Sequence, residues 1–428
     1  MPKLSKCSII LRILSFLGVL PLVLAGVGWY LVSQLNDSFD GDYLGARSDK
    51  WPYLAAAPHE KQQEFNEDFT ALLKDYPELS PSWKDVPDDQ NGFLQLLNLH
   101  DYVTGAGGAE ASYRLSLPDD FRKRISEDSW NEEMELDEES LELFINELHR
   151  IGQISEQSCA GMDKGRFIWA NPNFMRGMVN LLANEAKAAA RLGDKEKSLD
   201  SIYAAAGLVR HLSQIETCSL IQATVGIVCE LQVSSTIFED LLPNLELSNE
   251  DLGKLRELTL SNRDAFSPVS LWRGEFNMGM PLLVMPFVDH AKLCQIIGRD
   301  RVYHAYVKGY AAFINSYQGM KDSILWDSDE FEALLQVQQE KSSFLERKIQ
   351  GYLVFYLEPY MTNEIRIPVK RYHNAAALSF LIDGELPVEL VTGKPYVFNE
   401  QTGEFSLPDD PRLEELDIKS ISLPISAE

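Results

Sequence analysis

Apolar residues recur at three- and four-residue intervals along most of this chain, and only near its end do they alternate. The first pattern predicts amphipathic helices, the second strands. From about Glu60, residues Phe65, Phe69, Leu72, Leu73 and Tyr76 keep helical spacing, and "PELSPSWKDVPDD" then breaks the run with prolines. "GFLQLLNLHDYV" reads as a short helix. Residues 117–150 are acidic and predicted helical, with Leu141, Phe144, Ile145 and Leu148 on one face. The clearest signal is a pair of helices at 174–192 and 195–212, punctuated by Gly193-Asp194. Ala183, Ala186, Ala190, Ala204 and Ala205 allow the two to approach closely as an antiparallel hairpin. The pair is similar to one tetratricopeptide unit, but such arrays need about three repeats, and no second copy occurs at that period.

"CSLIQATVGIVCELQVSSTIFEDLL" is apolar on nearly every side and is expected to be a central helix. In "LSNEDLGKLRELTLS", Ser248 is a candidate N-cap with Asp251 three residues on. Residues 262–290 are punctuated by Pro and Gly and read as a long connection. Helical patterns resume at Val288–Ser316, at Ser328 to about Leu357 and at Pro368–Ile382. The tail, "ELPVELVTGKPYVFNEQTGEFSLP", is rich in β-branched and aromatic residues. Tyr396, Phe398 and Phe405 flank a turn at Glu400–Gly403, which predicts a small hairpin. From about Asp409 the chain is acidic and expected to be loose.

One segment is apolar without any period. Ile13 to Val32 holds no charged residue and follows Lys3, Lys6 and Arg12. Twenty helical residues span about 30 Å, the thickness of a bilayer core. Val23-Leu24-Ala25 resembles a cleavage site, but the apolar run continues past it to Trp29, Tyr30, Leu31 and Val32. The expectation is therefore a retained anchor with an interfacial aromatic pair. Basic residues before it and Asp37, Asp40 and Asp42 after it orient the N-terminus inward.

Composition adds to this picture. The 428 residues carry a formal net charge of −26, and setting aside Lys3, Lys6 and Arg12 leaves −29 on the remainder. Such a body is repelled by nucleic acid and anionic lipid. A hydrophobic share of 45% fits a globular protein with a real core. Beyond Cys7 lie Cys159, Cys218, Cys229 and Cys294, with no CxxC spacing to suggest a zinc ribbon or redox motif. Buried free thiols are the expectation, and one structural disulfide is the rival.

Chemistry is represented mainly by missing motifs. There is no H-E-x-x-H helix and no G-x-S-x-G elbow. The glycines of "TGAGGAEAS" do not form a phosphate loop, and the acidic helix lacks an EF-hand pattern. Histidines 59, 100, 149, 211, 290, 304 and 373 are dispersed. His290 and Cys294, beside Asp289, share a helix face and offer at most two metal ligands. His304 lies about 21 Å further along a continuous helix. Tyr303, Tyr306, Tyr310 and Phe313 form an aromatic stripe, expected to pack in a core rather than stack on a sugar or peptide. Trp169, Trp272 and Trp326 carry the same two readings. No catalytic, metal or cofactor residue is assigned.

Three segments carry a resemblance: "CAGMDKGRFIWANPNFMRGMVNLLANEAKAAARLGDKEKSLDSIYAAAGLVRHLSQIETCSLIQATVGIV", "MPFVDHAKLCQIIGRDRVYHAYVKGYAAF" and "HNAAALSFLIDGELPVELVTGKPYVFNEQTGEFSL". Together they resemble uncharacterised, signal-anchored helical proteins of the planctomycete–verrucomicrobial group. The ending is similar to the C-terminal region of secretion-type pseudopilins, although "LPVELVTG" is shorter than the usual stretch. The resemblance covers roughly Cys159 to Leu407. It implies an architecture and an envelope location, and no activity.

The expectation is thus a mainly α protein with an N-terminal transmembrane helix, a bundle of antiparallel, tetratricopeptide-like helical hairpins and a small C-terminal β-hairpin. Residues 1–35 form the cytoplasmic end and anchor, 36–57 a tether, 58–383 an exported helical domain, and 384–428 the hairpin and acidic tail. The location is a bacterial inner membrane, crossed once, with the main body periplasmic. The expected role is interaction or scaffolding, with the membrane bound through residues 13–32 and a protein as partner. The rivals are an exported hydrolase with a site assembled from scattered residues, and an accessory of a secretion or pilus-like system.

Overall fold

The computed structural model describes residues 59–104, 117, 138–160, 172–218, 220–261, 268–280, 298–318, 333–334, 336–337, 340, 342–414 and 416–424. The expected anchor and tether lie outside these residues. Among the described residues no helix is long and apolar enough to cross a membrane. The protein is mainly helical, with one small antiparallel sheet of three strands. It divides into two compact units, Met1–Thr70 with Met280–His304, and Ala71–Gly279 with Ala305–Glu428.

The first unit contains most of α1 (His59–Asp75). Phe65 and Phe69 are buried, as their spacing predicts. Here Arg299 pairs with Glu64 at 2.5 Å and Asp68 at 3.0 Å, and lies over the Tyr303 ring.

The second unit runs through α2 (Gly92–Thr104), α3 (Glu138–Gly152), α4 (Pro172–Arg191), α5 (Lys195–Ser213) and α6 (Leu220–Thr236). It continues with α7 (Asn249–Leu260), α8 (Pro268–Gly279), most of α9 (Arg299–Gln318) and α10 (Phe344–Asp383). The α4–α5 hairpin forms where the sequence predicts it. Gly193 adopts φ +74, a conformation that costs an L side chain but not glycine, and so lets the chain reverse. Asp194 then caps α5 by accepting from the Lys197 amide. All five predicted alanines are buried. The Ser198 hydroxyl donates to the Ala186 carbonyl at 2.9 Å, which shows how closely the two helices approach. Against α3 the approach is tighter: a Cβ on Gly207 would sit 1.8 Å from the Gly152 carbonyl oxygen.

Five expectations are corrected. Residues 262–290 are not wholly a connection, because α8 forms within them, with Trp272 and Phe276 buried. The helix expected to be central, α6, leaves Val228 and Leu231 exposed, whereas α2 is buried on every side from Phe93 to Val103. The polar residues of α2 concealed this pattern. Partners meet several of them: Gln95 donates to the Asp88 carbonyl, and His100 meets Asp101 at 3.0 Å. The helix expected over Val288–Ser316 is interrupted at Gly298, at φ +100, and α9 runs from Arg299; residues 288–297 lie outside the described set.

The helix expected at 328–357 breaks at Ser342-Ser343, and its part from Phe344 joins the one expected at 368–382 as a single helix, α10, which continues through Pro359 and Pro368. Each proline removes a helical amide and crowds the preceding turn. Burial of Ile367, Val369, Arg371, His373 and Ala375–Leu378 on the C-terminal half offsets that cost. Finally, the acidic tail is not loose. Pro411–Glu414 forms a helical turn and Ile421–Ser422 forms β3. Leu413 and Leu416 pack with Val369 of α10. The predicted hairpin is β1 (Val397–Asn399) with β2 (Glu404–Ser406), in the register Phe398↔Phe405, and β3 extends it through Phe405↔Ile421.

Candidate functional site

Two part-buried polar knots resemble catalytic groupings. In the first, α3 supplies His149, α4 supplies Glu185, and α5 supplies Lys197 and Ser201, four residues apart on one face. His149 Nε2 lies 2.8 Å from Glu185 Oε2, and Ser201 Oγ lies 2.9 Å from the same oxygen. Lys197 Nζ pairs with Glu185 Oε1 at 3.2 Å. A nucleophile relay requires the imidazole to bridge hydroxyl and carboxylate through different nitrogens. Here both meet Nε2, with Ser201 Oγ at 3.4 Å, and the serine also reaches the Lys197 carbonyl at 2.8 Å. Burial raises the Glu185 pKa, but the hydrogen bonds from His149, Ser201 and Lys197 outweigh it and hold the carboxyl below its ordinary value. The knot ties three helices together and sets up no proton relay.

In the second knot, Glu216 gathers the segments around residues 84, 158 and 217. Its Oε1 accepts from Ser158 Oγ at 2.6 Å and the Lys84 amide at 2.9 Å. Its Oε2 accepts from the Cys159 amide at 2.9 Å and the thiol at 3.3 Å. Burial pushes the Cys159 thiol up to about 12, and the Glu216 charge adds to the rise. A thiol so protonated is a poor nucleophile. Cys218 is also pushed up by burial, and Cys229 to about 12. These three cysteines are free and buried, as expected, while Cys294 lies outside the described residues.

The histidines remain dispersed. His211 is buried, with Nε2 2.9 Å from the Ile151 carbonyl and Nδ1 without a partner. Burial lowers its pKa to about 4. His304 is exposed. Asp289, His290 and Cys294 lie outside the described residues, so their pairing is not seen. Among the described residues no group of three potential ligands is poised for a metal. The aromatic stripe is largely buried: Tyr303, Tyr310 and Phe313 are in the core, and Trp272, 1% exposed, meets Phe313 at 4.5 Å. Trp169 and Trp326 are outside the described set.

The feature that sequence reasoning missed is at the C-terminus. The segment 386–390 runs antiparallel to 394–397, joined by the Val388↔Pro395 bridge and by hydrogen bonds from Glu389 to Lys394 and from Tyr396 to Pro387. Glu389 is buried beneath the intervening turn and accepts from the Val391 and Thr392 amides at 2.9 and 2.7 Å. On the inner face, Tyr396, Phe398 and Phe405 pack against His373 and Phe380 of α10. His373 is buried with neither ring nitrogen partnered, and burial followed by the Lys370 charge lowers its pKa to about 4. Below this module Arg371 of α10 grips Glu230 of α6 with bonds of 2.5 and 2.7 Å.

The outer face is the reverse. Leu386, Val388, Leu390 and Val397 are 43, 58, 53 and 49% exposed. Period-two alternation puts the first three on one side, and the bridge register sets Val397 opposite Leu386. The signal was present in "ELPVELVTG" as alternation, but sequence alone does not say which face is covered. No known family model, curated protein or solved structure matches the chain.

Proposed function

We propose that this chain is a membrane-anchored envelope protein whose work is to hold a protein partner through its C-terminal module. The observation that carries the reading is the exposed strip of Leu386, Val388, Leu390 and Val397. Apolar side chains clustered on an ordered surface favour a protein contact, whereas scattered ones do not. The module is suited to display them: Glu389 fixes its turn, and an aromatic layer fastens it to α10. The uncharged run from Ile13 to Val32, with basic residues before it, supports the anchor and a periplasmic body.

The test is affinity purification of the intact protein from solubilised membranes, beside the variant Leu386→Ser/Val388→Ser. A stoichiometric partner with the wild type, lost with the variant, is the expected result. A wild type that brings down no partner contradicts the reading.

A further inference from the structure

We infer that the segment which docks on the strip carries apolar side chains flanked by lysine or arginine. This rests on the docking reading above and adds the chemistry of the partner. The strip has an acidic border. The register Asn399↔Glu404 puts Glu404 on the outer face with Val397, and Asp383, Glu385 and Glu400, each within three residues of Leu386 or Val397 along the chain, are exposed. Glu404 accepts only a 3.4 Å bond from Thr402, and Asp383, Glu385 and Glu400 make no ion pair among the described residues.

Two nearby cations, Lys394 and Arg412, are already used. Lys394 pairs with Asp410 at 3.1 Å and donates to the Asp409 carbonyl, and Arg412 pairs with Asp410 at 2.9 Å. The surface therefore presents apolar side chains within uncompensated carboxylates. A second copy of this chain would bring the same carboxylates against it, and like charges brought together select against that pairing. Anionic lipid and nucleic acid are repelled both by this border and by the net charge of −26. A segment with Lys or Arg beside Leu or Val meets both properties: the apolar contact supplies the affinity, and the charges supply orientation and salt dependence.

The experiment uses the full chain in neutral detergent and two short fluorescent peptides. Both share one alternating Leu/Val core; one is flanked by lysines and the other by glutamates. The lysine peptide is expected to bind about tenfold tighter, with the gap closing near about 0.5 M salt. Glu385→Gln/Glu404→Gln should erase the preference, and Leu386→Ser/Val388→Ser should abolish binding of both peptides. Equal binding, tighter binding of the glutamate peptide, or a preference that survives the glutamine variant overturns the charge inference while leaving the docking reading standing. Peptide binding unchanged by the serine variant overturns the docking reading itself. Self-association of the wild type that the serine variant removes makes a second copy the occupant and contradicts the proposal.

Discussion

Between α3, α4 and α5 the chain places alanine and glycine where helices meet, and it places serine, histidine and carboxylates where their polar atoms can be matched. On the C-terminal module it places leucine and valine where nothing described covers them. The same chain thus closes one region inward and leaves the other facing outward. The helical region shows what a mostly inward-facing surface looks like here. Measured against it, the strip on the module stands out as a surface awaiting a contact. Leu192, at the tip of the α4–α5 hairpin, is 86% exposed but isolated. Exposure of that kind needs no explanation.

The comparison breaks first if α10, which carries the module, is not fastened to α6 as described. Arg371→Met strands the Glu230 carboxylate, and loss of one partner of such a pair is expected to cost about 3–5 kcal/mol in urea unfolding. Adding Glu230→Leu should recover most of it. Next, Gly207→Ala drives a methyl into the Gly152 carbonyl. It is expected to lose about 2–3 kcal/mol, as overpacking does, and an unchanged urea midpoint would refute the close approach.

The two regions share a pH response. Burial holds the folded pKa values of His211 and His373 at about 4, below the ordinary 6.5 of imidazole. As pH falls below about 6.5 the unfolded chain takes up protons that the native chain refuses, so stability declines. The decline from these residues ends near pH 4, where the native imidazoles also charge. Between pH 7.5 and 5 each histidine accounts for about 2 kcal/mol. His373→Phe should remove its share from the slope of urea midpoint against pH; an unaltered slope contradicts the burial account. The smallest effect sharpens the contrast: Leu386→Ser/Val388→Ser, made on exposed positions, should shift stability by no more than about 0.5 kcal/mol per site.

Much of the helical region was legible in the sequence, because its signals are local. Gly193-Asp194 marks a turn, Ser248 and Asp251 form a capping box, and the alanines of the hairpin are buried. Where tertiary packing overrode local preference, the reading failed. Pro359 and Pro368 predict breaks, yet α10 runs on because its C-terminal half is buried. α2 looks too polar to be buried, yet distant partners satisfy it: Arg150 reaches Gln95 from 55 residues away. The acidic tail reads as free because its apolar residues, Leu413, Leu416, Ile418, Ile421, Leu423 and Ile425, keep no single period. The strip lay in plain view as alternation in "ELPVELVTG", but Glu389, a charged residue, took the buried side and the aliphatic residues the exposed one. Hydrophobicity alone predicts the opposite.

The central claim is that the strip, and not exposed apolar surface in general, is the docking face. The direct measurement is photo-crosslinking in intact cells from a benzophenone amino acid placed at Val388, beside the same group at Leu192. A discrete protein adduct from position 388 and none from 192 is the predicted result. No adduct from 388, or the same adducts from both positions, would contradict the account.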